Sequence, residues 1–357
     1  MDGRMKILVA MSGGVDSSVA AKLLCDMGHE CVGCTMKLFD NCDAGLSRSK
    51  TCCSLDDVEE ARSVAFSLGM RYYVFNFKDM FREKVIKKFA SAYLVGQTPN
   101  PCIDCNRHMK FDKLFERAEI LGCDKIATGH YARIEFDVER YKLKKALDET
   151  KDQSYVLYML TQEQLGRCLF PLGELSKSQT RAIAAASGLT SAHKPDSQDI
   201  CFVPDGDYAA AIERLTGLTA AQGNFVDMDG SVIGTHSGIT HYTIGQHRGL
   251  GLSLPERRYV CRIDAENNTV TLGGSDELYS SRVHVCGFNW ISGKAPEKSI
   301  RCMARIRYRQ PEQAATVTPL SENEAVICFD APQRAVTPGQ SAVLYDGDTV
   351  LGGGQIT

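Results

Sequence analysis

Residues 6–20 read KILVAMSGGVDSSVA, and this stretch constrains the fold more than any other. The apolar run from Lys6 to Met11 has the length of a buried strand, and Ala20, Leu23, Leu24 and Met27 share one face of a helix that Gly28 stops. Little more than two glycines separates them, so the strand feeds straight into the helix. The unit then repeats. CVGCTM (Cys31 to Met36) reads as a strand. Ser54 reads as an N-cap ahead of Asp56 and Asp57, opening a helix that ends at Gly69; YYVFNF, a helix over 79–95 and KIATG follow. Strand alternating with helix predicts the α/β class: a parallel sheet covered by helices on both faces, over residues 1–205.

Beyond that point the pattern changes to short strands joined by tight turns. Asp229-Gly230, Asn267-Asn268 and Asp346-Gly347 each sit between two β-rich runs. Residues 206–275 are expected to form a small central domain containing the Gly-rich piece GTHSGITHYTIGQHRGLGL. Residues 276–357 hold six strand-like runs, enough for a C-terminal antiparallel β-barrel.

The loop in the opening stretch carries the first chemistry. Gly13 and Gly14 allow close backbone approach, Ser12, Ser17 and Ser18 offer hydroxyls, and a helix N-terminus directs unpaired N–H groups at an anion. No Gly-Lys-Ser/Thr follows and there is no GxGxxG, which excludes a Walker loop and a dinucleotide fingerprint. SGGVDSS resembles the signature of the PP-loop ATP pyrophosphatases. That resemblance implies ATP cleaved between its α and β phosphates, a substrate oxygen adenylated, and AMP displaced by a nucleophile. Asp16 would stand near a Mg2+ that neutralises the leaving pyrophosphate.

A net charge of −3 gives no global attraction to nucleic acid, so any such contact must be local. RCMARIRYRQ, with Arg301, Arg305, Arg307 and Arg309 on alternating positions, is one candidate. The first residues hold only a five-residue apolar run, too short for an export signal or a membrane span, so a cytoplasmic location with no membrane partner is expected. Fifteen cysteines, an odd number, then read as reduced thiols, most of them small buried hydrophobes such as Cys25, Cys123, Cys168, Cys261, Cys286 and Cys328. Cys42 lies in an expected mobile loop over 41–50, and Cys52 and Cys53 just beyond it are read as a partly buried pair at a helix start.

TPNPCIDCNRHMKF, ATGHYAR, KDQSYVLYML, LFPLGELSKSQTR, DSQDICF, YTIGQHRGLG, RYRQ and TPGQSAVLYDGDTVLGGG resemble, in order, segments of the bacterial tRNA-specific 2-thiouridylases, the MnmA type. The likeness runs from residue 7 to the last strand. It implies an ATP-dependent tRNA-uridine 2-sulfurtransferase acting on the wobble uridine of an anticodon loop, in tRNA species for Lys, Glu and Gln. ATP would lie on Ala10, Met11, Ser12, Gly13, Gly14, Val15, Asp16, Ser17 and Ser18, with Met36 and Gly129 near the adenosine. Asn100 and Pro101 would hold the target base. His130, Lys151, Asp152, Gln153, Arg307, Tyr308 and Gln340 would contact tRNA. A rival reading from the loop alone is a PP-loop ligase acting on a small molecule; another is a non-catalytic iron- or redox-sensing RNA-binding protein.

The same resemblance assigns Cys105 and Cys201 as the catalytic cysteines. Cys201 would carry a persulfide sulfur supplied by a relay from a cysteine desulfurase, and Cys105 would release it by forming a disulfide. Where many members have NPD this chain has Asn100-Pro101-Cys102, which removes an acid–base aspartate and adds a third thiol. Cys102, Cys105 and Cys201 could therefore hold a 4Fe-4S cluster with one iron open to hydrosulfide, the persulfide route and zinc being the alternatives.

Overall fold

The structure is a computed structural model and describes residues 3–40, 55–194, 200–203 and 205–357. Strands β1 (Lys6–Ala10), β2 (Glu30–Lys37), β3 (Arg71–Asn76), β4 (Lys125–Ala127) and β7 (Cys168–Leu169) form one parallel sheet in the order β3-β2-β1-β4-β7. Its central strand explains why KILVA is apolar throughout. Ile7 and Val9 enter one core cluster and Leu8 the other, so alternate side chains fill both faces of the sheet. Helix α1 (Val15–Asp26) follows β1, and α2 (Leu55–Ser67) follows β2 with Asp56 and Asp57 in its first turn. Glycines 28 and 69, at φ 85° and 71°, lie just past the two helices, as the sequence predicts.

The chain builds β1, β2 and β3 to one side, then crosses to place β4 on the other side of β1. In an open α/β sheet such a reversal leaves a crevice at the carboxyl ends of the two strands, where ligands bind. Here it lies between the loop after β1 and the residues 128–130 after β4.

Residues 279–356 form a closed antiparallel barrel. Strands β12 (Tyr279–Trp290), β13 (Ile300–Arg305), β14 (Gln313–Pro319), β15 (Glu324–Arg334), β16 (Ser341–Asp346) and β17 (Thr349–Ile356) run in the order β12-β15-β14-β13-β16-β17, and β12–β17 pairing closes the ring. Between barrel and nucleotide domain, β8 (Gly223–Val226), β9 (Val232–His236), β10 (Tyr259–Asp264) and β11 (Thr269–Gly273) form a four-stranded sheet.

Sequence patterning missed one feature. The hairpin β5 (Ala132–Asp137) and β6 (Arg140–Lys145) leaves the nucleotide domain and joins the barrel sheet at Thr349 opposite Lys144. Other expectations are corrected. Strand β13 ends at Arg305, so the four arginines of RCMARIRYRQ are not one alternating strip; Arg301 pairs with Asp330 and Arg305 with Glu312. Cys328 is exposed, and Cys25, Cys261 and Cys286 are only half-buried. Ser54, Cys42, Cys52, Cys53 and the loop over 41–50 lie outside the described residues.

Candidate active site

The phosphate loop is held from below by short polar contacts. Thr35 donates its hydroxyl to the Met11 carbonyl at 2.6 Å, and Met11 N–H reaches the Cys34 carbonyl at 2.8 Å. Ser12 N–H donates to the Ser17 hydroxyl at 3.1 Å, while the Ser17 and Ser18 hydroxyls both donate to the Gly14 carbonyl. Gly13 has φ 72°, and a Cβ there would lie 2.5 Å from the Asp57 carbonyl oxygen. Only glycine permits both the left-handed backbone and the contact with α2. Gly14 caps α1 with no side-chain hydrogen bond, which leaves the first amides of the helix open to an anion. Gly129 closes the other wall: a Cβ on it would lie 2.8 Å from Ser17 N. Met36 packs against the core at the end of β2. Lys194 braces the loop from behind, reaching the Gly13 carbonyl at 3.1 Å, Glu60 at 2.7 Å and Asp57.

Asp16 stands in the first turn of α1, and its carboxylate is engaged. Lys177 Nζ reaches Oδ1 at 2.7 Å and Oδ2 at 2.8 Å, and the Tyr131 hydroxyl donates to Oδ1 at 2.9 Å. Gln153 in turn accepts from Tyr131 N–H at 3.0 Å. The residue that sequence reasoning missed is Lys177. It lies in LSKSQTR, one residue past the N-cap Ser176 of the helix Lys177–Ala186, whose Ser176/Gln179 capping box was readable as S-x-x-Q. Its pairing with Asp16, across 161 positions, was not. A single carboxylate beside serine hydroxyls suits Mg2+, which takes one or two protein carboxylates and completes its shell with substrate phosphates.

The cysteine segment is a helix with an irregular interior. Asn100 caps it, accepting from Cys102 N–H at 3.1 Å, Pro101 takes the first position, and the stretch Cys105–Lys113 is π-helical before α-helix resumes at Leu114. Such widened turns are frequent at functional sites. Cys102 is exposed, while Cys105 and Cys201 are half-buried and pack against the same core cluster. Asn106 is 2% exposed and donates to the Val156 carbonyl at 2.9 Å, which pins the helix beside Cys105. Among the described residues no group of three His, Cys, Asp or Glu side chains is arranged to hold a metal ion.

The residues expected at tRNA fall in two groups. His130 is only 6% exposed, enclosed by Phe111 and Phe170, with Thr128 Oγ1 at 2.7 Å and Lys110 Nζ at 3.2 Å. Burial, then the Lys110 charge, holds its pKa well below the ordinary value, so the ring is neutral at pH 7. The rest gather where the barrel meets the nucleotide domain. Gln340 donates to the Thr98 carbonyl at 2.6 Å, two residues before Asn100, and Tyr308 donates to the Asp152 carbonyl at 3.3 Å. Burial raises the Tyr308 pKa, and Asp152 and then Cys102 add to the shift. The Asp152 carboxylate is turned inward, accepting from Ala146 N–H, Ser154 N–H and the Ser154 hydroxyl, while Lys151 beside it is half-buried. Arg307 donates to the Ala335 carbonyl and the Thr337 hydroxyl.

The family profile described as "tRNA methyl transferase HUP domain" matches residues 5–205, its PRC-barrel counterpart residues 215–274, and an "Aminomethyltransferase beta-barrel domain" residues 280–356. The tRNA-specific 2-thiouridylase MnmA of Acetivibrio thermocellus is 51% identical over 99% of this chain and 99% of its own. The chain belongs to the tRNA-specific 2-thiouridylase family. A second relative, the 2-thiouridylase MnmA 2 of Caldanaerobacter subterraneus subsp. tengcongensis, is 50% identical over 100% of this chain and 99% of its own. The profiles name methyl transferases, but likeness over the full length to proteins named thiouridylases is the narrower finding and sets the family. Among solved structures, a 4-thiouridine synthetase in complex with RNA and ATP matches 56% of this chain and 45% of its own, at 20% identity and TM-score 0.38.

Proposed function

We propose that this chain is an ATP-dependent sulfurtransferase that converts the wobble uridine of tRNA to 2-thiouridine. The observation that carries the reading is the pairing of two chemistries in one fold. An uncapped helix N-terminus lies behind SGGVDSS, and two cysteine segments far apart in sequence pack against the same core. The loop amides and α1 bind the ATP phosphates, and the uridine C2 oxygen attacks the α-phosphorus as pyrophosphate leaves. Asp16 is the residue that would hold Mg2+, which supplies positive charge to the leaving pyrophosphate. Lys177, already on Asp16, is placed to pass its ammonium to the phosphates when the carboxylate takes up the metal.

Sulfur arrives as a persulfide on Cys201. Its terminal sulfur attacks C2, AMP leaves, and the Cys105 thiolate then attacks the Cys201 sulfur, forming a Cys105–Cys201 disulfide and freeing 2-thiouridine. A thiol reductant returns both cysteines. Cys102 serves as an accessory thiol, and Asn100 and Pro101 hold the base.

The test is anaerobic assay of thiolation on unmodified tRNA with ATP and a persulfide donor, with iron counted per chain. Product from iron-free protein, abolished in Cys201→Ala while tRNA binding persists, is the expected result. Activity that needs iron and is lost with Cys102 would overturn the persulfide route. Pyrophosphate release that ignores tRNA would favour a small-molecule ligase.

A further inference from the structure

The chain that follows Cys201 leads to a cavity that the chemistry above leaves unused. Asp205, Asp207 and Tyr208 line a space of about 470 Å³ together with Tyr93 of the nucleotide domain and Thr240 and His241 of the central domain, a volume within the range of ligand sites. Tight turns keep it near the cysteine. Val203 N–H donates to the Ile200 carbonyl at 2.8 Å, and Gly206 N–H to the Val203 carbonyl at 3.3 Å. Aromatic packing runs the same way: the ring of Phe202, next to Cys201 in sequence, stands 5.3 Å from Phe89, Phe89 stands 5.0 Å from Tyr93, and Tyr93 stacks on Tyr208 at 6.1 Å.

Two of the lining groups call for a ligand. Tyr93 is 5% exposed and Thr240 6%, yet among the described residues neither hydroxyl has a hydrogen-bond partner and neither is shut off from the cavity. A hydroxyl buried without a partner costs free energy that a bound group recovers. Burial, then the neighbouring Tyr208, raises the Tyr93 pKa, so that ring keeps its proton. The carboxylates set the sign of the ligand. Asp205 and Asp207 are both exposed, and Arg214 comes no nearer to Asp205 than 3.8 Å. Asp207 accepts from Ala210 N–H at 3.0 Å and so occupies the N-terminus of the helix Tyr208–Thr216, where an anion would otherwise sit. Acceptor oxygens gathered under negative charge suit a group that brings several N–H donors.

We propose that this cavity receives a lysine or arginine side chain of the protein that delivers persulfide sulfur to Cys201. This rests on the proposed function. Delivery is a thiol exchange: the Cys201 thiolate attacks the donor's terminal sulfur, the donor's S–S bond breaks as the new one forms, and the donor leaves as a thiolate with no net oxidation. The two sulfurs must come within bonding distance, so the donor has to be held against the segment that carries Cys201. The cavity adjoins that segment through two turns. In it the basic group donates to the Tyr93 and Thr240 hydroxyls while Asp205 and Asp207 balance its charge. RNA is disfavoured there, because its phosphates meet carboxylates of the same sign.

The experiment places wild-type protein, Asp205→Lys/Asp207→Asn or Tyr93→Phe/Thr240→Val in cells as the sole copy. Persulfide on Cys201 is trapped by alkylation at lysis and counted by mass spectrometry. The purified proteins are then assayed for tRNA affinity, for tRNA-dependent pyrophosphate release, and for thiolation with glutathione persulfide, a donor too small to need the cavity. The expected result is a roughly tenfold or greater loss of Cys201 persulfide in the charge-altered variant and a loss of about threefold or more in the hydroxyl variant. The purified activities should stay within about twofold of wild type, since they bypass the donor protein. Wild-type persulfide levels in both variants, or equal losses in every readout of the hydroxyl variant, overturn the docking site. Weakened tRNA affinity with persulfide intact overturns it too and assigns the cavity to RNA. Wild-type protein that carries persulfide on Cys201 yet makes no thiouridine would fail the function and keep the docking site.

Discussion

Lys177 and Asp16 hold each other through two hydrogen bonds at the mouth of the phosphate loop, with Tyr131 completing the group. Removing either charge should cost adenylation about 10²–10³-fold, the scale of losing one aligned electrostatic contact at a reacting centre. Asp16→Ala and Lys177→Ala should also be non-additive, because the pair acts as one unit; tRNA-dependent pyrophosphate release in single and double variants checks both points. His130 gives a pH prediction. Its folded pKa lies below its unfolded value, so the unfolded chain takes up a proton first as pH falls. Its stabilising contribution is complete above the ordinary histidine value and declines on acidification, at no more than about 1.4 kcal/mol per pH unit. Unfolding free energies measured between pH 7.5 and 5.5 should fall less steeply in His130→Asn; equal slopes would mean that folding leaves the pKa of the ring unchanged.

At the scale of elements, whatever is encoded within a dozen residues was readable. The strand, two glycines and helix of the opening stretch predict β1, the loop and α1, because apolar periodicity and turn chemistry are local. Gly13 carries a sharper expectation than the pattern alone, since Gly13→Ala both strains a left-handed backbone and drives a methyl into α2. A loss of about 1–3 kcal/mol and weakened ATP binding should follow, read by denaturant unfolding and nucleotide titration. The hairpin β5–β6 was not readable. Val138, at φ 49°, gives no glycine or asparagine signal at its turn, and the strand it meets lies far along the chain. The basic run RCMARIRYRQ failed for the opposite reason: alternation was present, but the partner of Arg301 comes from β15 and that of Arg305 from the segment before β14. The site showed the same division, with the loop and the cysteine motif legible while Lys177 and the burial of His130 depended on tertiary neighbours.

Across the whole molecule, the barrel is a structural part of the active site. Gln340 reaches the Thr98 carbonyl, Thr98 N–H reaches the Pro338 carbonyl at 2.9 Å, and the Tyr155 hydroxyl donates to the Ser341 carbonyl at 2.7 Å. Thr98, two residues before Asn100, is thereby tied to the barrel through both its N–H and its carbonyl. Gln340→Ala removes one of these ties and should cost about 1 kcal/mol locally. Faster amide exchange over residues 97–103, with little change in the parallel sheet, would be its signature. The hairpin that crosses between the domains has a consequence for biosynthesis. Its last strand is translated long before Thr349, its partner in the barrel. At about 5–20 residues per second, β6 waits roughly 10–40 s with an unpaired edge on the ribosome. An exposed edge strand invites pairing with other nascent chains, so the yield of folded protein should respond to chaperone supply and to synonymous changes that alter the pace of translation between the hairpin and the barrel.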